Sequence, residues 1–437
     1  MSRGDLPSLD VDWYSGEAVG QVVNPGTYAF GYVEPWLAHG ASLSPLAVPF
    51  TDQVHRVRDD AFDQLPGFLA DCLPDGWGRT LMGQEFASAG VTANPMRMLA
   101  WVGKRGLGAL RFEPALDDGR GASGAWTKVQ PLLLAREAQQ VLRNAPPETF
   151  AHLRAAGTAG GAFPKATVAL LPDGTLLCGG DVAEVLPQHP GARLGILKLD
   201  VEDTPTKPST DGRLEKAYME MARAAGLAVA KCEILSHADE QRVRHHLFVE
   251  RFDVLEGGAK RLHLLSLAGA LESFRALSYT HLLQTTRRLT EDQTQVTEAV
   301  RRMVFNVRAA NADDHGKNHA FTFDRETRRW ALSPAYDLTL NYSETSHFNG
   351  LFPTSFGPTP RLEQLEDVAT EFGVSPAEFA EIDQQIAATI ERWPEFAEAH
   401  GVSSADRERA LAQQARIGLA LGAHGPVSRR KRRKVRW

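Results

Sequence analysis

Asn311-Ala312-Asp313-Asp314-His315-Gly316-Lys317-Asn318 runs directly into the apolar stretch His319-Ala320-Phe321-Thr322-Phe323, a dense polar loop set against a strand. Upstream, Val296, Ala299, Val300, Met303, Val304 and Val307 recur at helical spacing, so the loop leaves the end of an amphipathic helix, for which Thr290-Glu291-Asp292-Gln293 is a suitable capping box. Downstream, a turn leads to Trp330-Ala331-Leu332-Ser333-Pro334-Ala335-Tyr336-Asp337-Leu338. This is the partner strand of a hairpin, and it returns Asp337 toward Asn318. Taken singly, Asp313 and Asp314 read as turn caps and His315 as the partner of a buried carbonyl. Together they make a site on a rigid support.

That pattern suits phosphoryl transfer. One carboxylate, Asp313, takes or orients the proton of an attacking hydroxyl, while Asn318 and Asp337 hold Mg²⁺ on a triphosphate. The five-residue step from Asp313 to Asn318 has the spacing of a protein-kinase catalytic loop. Adjacent Asp and His could also serve a metal hydrolase, but such sites usually draw on several clusters and this sequence offers one.

A phosphate grip belongs in the sheet-rich half. Gly157-Thr158-Ala159-Gly160-Gly161-Ala162-Phe163-Pro164-Lys165 fits, because small residues let backbone amides approach phosphate oxygens; the string matches neither the Walker pattern nor the usual kinase loop. Lys198 ends the apolar strand Leu194-Gly195-Ile196-Leu197-Lys198-Leu199. It either snorkels to solvent or finds an anion, such as a nucleotide phosphate. A helix beginning near Glu215 either supplies the carboxylate that orients Lys198 or leaves Glu215 solvated.

Working outward, residues 1–115 are rich in Gly, Pro and aromatics and read as a small β-rich unit with one helical interlude over Phe62–Arg79. Residues 116–255 read as a sheet with one major helix at about Leu214 to Ala225; strands are expected at Ala166–Leu171, Leu194–Leu199 and His246–Phe252. Residues 256–425 read as a helical lobe, and 426–437 as a basic tail. Val368–Ser375 imitates the turn of a helix-turn-helix. The acidic residues around it would repel a duplex, so it reads as core packing.

The 437 residues, 43% of them hydrophobic and 23% charged, suit two or three globular cores. No apolar run is long enough to span a membrane, the N-terminus carries no leader pattern, and a cytoplasmic protein with reduced thiols is expected from three scattered cysteines. The net charge is −6, and the +7 on Arg429–Trp437 leaves −13 for the rest. The tail reads either as a solvated end or as a contact for nucleic-acid phosphates.

The quoted loop, Ser333-Pro334-Ala335-Tyr336-Asp337, Val249-Glu250-Arg251-Phe252-Asp253 and Leu73-Pro74-Asp75-Gly76-Trp77-Gly78-Arg79 together resemble the HipA family of toxin kinases, with Tyr32 and Trp36 where that family's first strands would be. The resemblance implies an α+β, two-lobed protein-kinase-like fold with an extra small β subdomain before a β-rich N-lobe and a helical C-lobe. It implies a Ser/Thr kinase of a type II toxin–antitoxin system that uses ATP and Mg²⁺, partnered by a small DNA-binding, HipB-like antitoxin. Operator DNA would be met through that partner or the basic tail. Characterised members phosphorylate aminoacyl-tRNA synthetases, so growth arrest through blocked translation is the implied outcome.

Residue by residue, the resemblance makes Asp313 the catalytic base and Asn318 and Asp337 the Mg²⁺ ligands. Lys198 and Lys165 become phosphate contacts, and Glu250, Arg251 and Phe252 the adenine hinge. Gly160, Gly161, Ala162, Phe163, Pro164, His315, Lys317 and Tyr336 complete the implied nucleotide contacts. Thr158 occupies the place of the family's autophosphorylated loop serine, and Phe163 departs from its usual polar residue. Two other classes remain open: a catalytically idle module that stabilises an antitoxin on its operator, and a metal-dependent phosphoester hydrolase.

Overall fold

The computed structural model describes residues 6–24, 26–57, 62–116, 126–156, 161, 163–179, 182–202, 211–274, 277–311, 313–340 and 360–422. Strands Ser8–Trp13, Ala18–Val23, Ala29–Tyr32 and Leu110–Glu113 form an antiparallel sheet in the order third, second, first, fourth. Alternation along the first strand sends Leu9, Val11 and Trp13 inward. The single helical interlude expected here is more than that. Gly67–Ala70 is a short helix of its own, Leu73-Pro74-Asp75 is a connection, and Gly76–Ser88 is a separate helix. Glu34–His39 and Pro95–Val102 add two more.

The second sheet is antiparallel throughout and six-stranded: Thr127–Val129, Leu176–Cys178, Lys165–Leu170, Arg193–Lys198, Val243–Glu250 and Cys232–Ala238, in spatial order. Its register sets Lys165 directly opposite Lys198, so both side chains emerge on one face. The helix Gly212–Ala224 crosses close to Val243–Glu250 because Gly212 has no side chain; a Cβ there would lie 2.7 Å from Leu247 Cβ. One major helix was expected in this region, yet Pro131–Leu142 is a second, burying Leu134, Ala138 and Val141 against the sheet.

The last part carries helices Tyr279–Thr290, Gln293–Arg308, Leu362–Glu371, Pro376–Glu391, Trp393–Ala399 and Ser404–Gly422. The Val296–Val307 stripe is fully inside, each large aliphatic contributing roughly 1.5–3 kcal/mol. Its cap is Asp292, whose carboxylate accepts from Thr294 N, rather than Thr290. The expected hairpin is present as Ala320–Asp324 and Arg329–Leu332, and it gains a third strand, His263–Ser266. Val368, Ala369, Phe372 and Val374, the helix-turn-helix mimic, are buried in the core.

One hydrophobic cluster joins the N-terminal sheet to the helical lobe, while a second lies under the six-stranded sheet. The N-terminal unit packs tightly against the short helix Leu267–Leu271, which follows the third strand, and against the turn of the hairpin. A Cβ on Gly67 would stand 2.1 Å from Gly269 O, and the Arg325 guanidinium lies 4.6 Å from the Trp36 ring centre and 5.9 Å from that of Trp13.

Candidate active site

Lys198 closes its strand with an ammonium held by two carboxylates. Its Nζ donates to Glu215 Oε1 and Oε2 at 2.7 Å each and to Asp337 Oδ1 at 2.5 Å. The snorkelling alternative is therefore excluded. Glu215 reaches Lys198 from the first turn of Gly212–Ala224, the approach that Gly212 permits. Burial would lift the Asp337 carboxyl, but Lys198 and Lys165 beside it bring it down to about 2. Its side chain keeps 35% of its surface open.

Lys165 is almost fully buried. Burial and the neighbouring Lys198 push its ammonium down to about 8, against the pull of Asp337, Glu215 and Asp75. Gly161 has φ +107, and a Cβ there would sit 2.3 Å from Lys165 Nζ, so the end of the glycine-rich loop rests on the cation. Trp77 fastens both, its backbone N–H donating to Gly161 O at 3.1 Å and its Nε1–H to Lys165 O at 2.9 Å. Pro164 O accepts from Leu199 N, which ties the loop's exit to the sheet, while Phe163 is 41% exposed. Thr158, Gly160 and Ala162 lie outside the described residues.

The hairpin register pairs Phe321 with Leu332, and Ser333 N donates to Ala320 O. Asn318 and Asp337 thus flank the same open end. Tyr336 OH donates to Lys317 O at 2.7 Å, binding the residues just before each of the two side by side. Asp337 itself adopts a left-handed backbone, φ +57. Asn318 Nδ2 donates to Asp313 O at 2.6 Å, which turns the amide oxygen, a hard donor, to other partners. Asp313 is pushed up by burial and by Asp337 and pulled down by His315.

His315 is exposed, and its Nδ1 accepts from Lys317 N at 3.3 Å, so it meets no buried carbonyl. Lys317 Nζ donates to Asp75 Oδ1 at 2.6 Å and lies 5.1 Å from the Phe274 ring centre. Asn318 and Asp337 offer hard oxygen donors, and no group of three His, Cys, Asp or Glu able to hold an ion occurs among the described residues. This chemistry fits Mg²⁺, which keeps waters and shares substrate phosphates, better than an all-protein cage.

The hinge segment behaves differently from the strand expected there. The strand stops at Glu250. Glu250 N donates to Lys231 O and Arg251 N to Leu194 O, both at 2.8 Å, so these two N–H groups are already engaged. The Arg251 guanidinium turns away to Asp253 and Gly106 O. Phe252 packs 5.8 Å from Tyr336, ring centre to ring centre.

Behind the loop, Asp314 is buried, accepts from Tyr279 OH, and is pushed by burial to about 7. Asn306 Nδ2 donates to the same phenol oxygen, and Asn311 Nδ2 to Asn306 Oδ1, each at 3.1 Å. Two carboxylates of the N-terminal unit were not foreseen as site residues: Asp75 on Lys317, and Asp71, which accepts from Ser266 N at 2.7 Å and Ser266 Oγ at 2.8 Å. The sole signal for Asp75 was its place in Leu73–Arg79.

Among the described residues no helix is long and apolar enough to cross a membrane. The HipA N-terminal domain description matches residues 9–113 and the HipA-like C-terminal domain description residues 157–393. A Sinorhizobium fredii protein named "Putative kinase Y4mE" is 28% identical over 359 residues, covering 76% of this chain and 78% of its own length. A chain from the Shewanella oneidensis MR-1 toxin–antitoxin complex of HipA, HipB and operator DNA superimposes with a TM-score of 0.64. That match covers 95% of this chain and 100% of the other at 17% identity, a likeness of fold. With both HipA domains matched in order along a two-lobed, protein-kinase-like α+β fold, the chain belongs to the HipA family.

Proposed function

We propose that this chain is an ATP- and Mg²⁺-dependent serine/threonine protein kinase, the toxin of a type II toxin–antitoxin system. The observation that carries the reading is Lys198 held between Glu215 and Asp337, on the same site as Asp313 and Asn318. Lys198 and Lys165 neutralise and orient the triphosphate, Glu215 keeps Lys198 aimed at it, and Asn318 and Asp337 hold the metal. Bound Mg²⁺ supplies charge neutralisation at the phosphates.

Asp313, raised by burial, takes the proton of the substrate hydroxyl as its oxygen attacks the γ-phosphorus; the bond to the β,γ-bridging oxygen breaks and ADP departs. A translation component such as an aminoacyl-tRNA synthetase is the proposed substrate, with Thr158 as a self-modification site. A small DNA-binding, HipB-like protein is the proposed partner, supported by the family and by the assembly in which the Shewanella chain was solved.

The test is transfer from labelled ATP to proteins of a cell lysate, followed by identification of the labelled species. Asp313→Asn is expected to retain ATP binding and lose about 10²- to 10⁴-fold in rate; an unchanged rate would defeat the proposal. Phosphate on Thr158 after incubation with ATP would support self-modification.

A further inference from the structure

Asp75 precedes the helix Gly76–Ser88, where an aspartate usually accepts from the backbone of the first turn. Here its side chain makes no such cap. It crosses instead to the catalytic loop, where Oδ1 receives Lys317 Nζ at 2.6 Å across 242 residues of sequence. Two residues further along, Trp77 holds Gly161 through its backbone N–H and Lys165 O through its indole. One turn of the N-terminal unit therefore touches both sides of the phosphate site.

Its attachment is firm on both flanks. Asp71 holds Ser266 by two hydrogen bonds, and Arg79 Nε donates to Pro74 O at 3.1 Å while its guanidinium binds Asp63. Asp75 also acts on Lys165 by charge, so the carboxylate that holds Lys317 also bears on one of the two cations assigned to the triphosphate.

We propose that Asp75 is a positioning residue for phosphoryl transfer: it fixes Lys317 and, through the turn it shares with Trp77, sets the catalytic loop in register with Gly161 and Lys165. The inference rests on the kinase reading above. Asp75 touches no reacting atom; its effect passes through Lys317. Nucleotide should still bind when the contact is lost, because Lys198 with Glu215 and Asp337 is untouched. The turnover of bound nucleotide should suffer.

The test compares the full chain with Asp75→Asn, Asp75→Glu, Lys317→Met and the Asp75→Asn/Lys317→Met double variant, using Mg-ATP. Asp75→Asn is expected to lower kcat about 10- to 100-fold with KM for ATP little changed, since small misplacements cost up to about 10²-fold. Asp75→Glu should recover part of the loss, and the double variant should lose no more than the worse single one. An Asp75→Asn enzyme with the parent kcat, or losses that multiply in the double variant, would overturn the proposal. Should Asp75→Asn melt below assay temperature, the kinetics of parent and variant are compared below its unfolding midpoint and judged by the same kcat criterion.

Failure of the parent chain to transfer phosphate would instead count against the kinase reading. Hydrogen exchange at the hydrogen-bonded amides of Lys317 and Asn318 then decides the clamp alone. Protection lost in Asp75→Asn sustains it, and equal protection overturns it.

Discussion

The front and the back of the loop Asn311–Asn318 treat their carboxylates in opposite ways. At the front, Asp337 is burdened by burial yet faces Lys198 and Lys165, and its carboxyl falls to about 2. At the back, Asp314 meets a phenol and a chain of amides, and burial carries it to about 7. Burial acts on both in the same direction, so cationic partners decide which stays charged. A charged front suits metal and phosphate; a back that is neutral below about pH 7 can be packed as support.

The largest break in that contrast should come from Lys198→Met, which leaves Glu215 and Asp337 facing each other without their cation. Phosphate transfer is expected to fall about 100-fold or more, and steady-state kinetics against the parent would show it. Glu215→Gln should cost less, because Asp337 still holds Lys198.

A smaller change sharpens the contrast through pH. Lys165 is depressed from 10.5 to about 8, so the charge proposed to meet phosphate disappears as pH rises through 8. ATP affinity measured calorimetrically should drop from about pH 7 to about pH 9, with proton uptake on binding at the upper end, while Lys165→Arg should flatten that drop. The stability contribution runs the other way. The unfolded chain holds more protons than the folded one between 8 and 10.5, so stability gains from this lysine as pH rises there.

The smallest effect on turnover belongs to Asp314→Asn. With its carboxyl raised from 3.8 to about 7, the folded parent binds the extra proton, and its stability should decline as pH climbs between those values. In the variant the unfolding midpoint should lose that slope, with transfer changed far less than in Lys198→Met. A parent midpoint that rises over this range would contradict a neutral Asp314.

What could be read from the sequence was the chemistry that lies close along the chain. The helix, polar loop and hairpin from Val296 to Asp337 are specified by spacing, and the strand ending in Lys198 by its apolar run. Distance hid the rest: Asp75 finds Lys317, and Asp71 finds Ser266, only after the N-terminal sheet has packed on the hairpin. The strand into the hinge was overextended because Arg251 looked like one more strand residue, whereas its guanidinium is buried against Asp253 and ends the run. Pro131–Leu142 was passed over although Leu134, Ala138 and Val141 carry helical spacing. The residues of Leu73–Arg79 were noticed as a pattern, but nothing local assigns Asp75 to Lys317 rather than to its own helix.

The bare backbone contact between Gly67 and Gly269, with Arg325 lodged against two tryptophans, bears on how such a chain can diversify. Swapping the first hundred or so residues for those of a distant homologue would import side chains where none fit and leave a guanidinium without its aromatic bed. Both segments would have to be exchanged together, so recombination between them is expected to yield insoluble hybrids unless the breakpoints respect that seam.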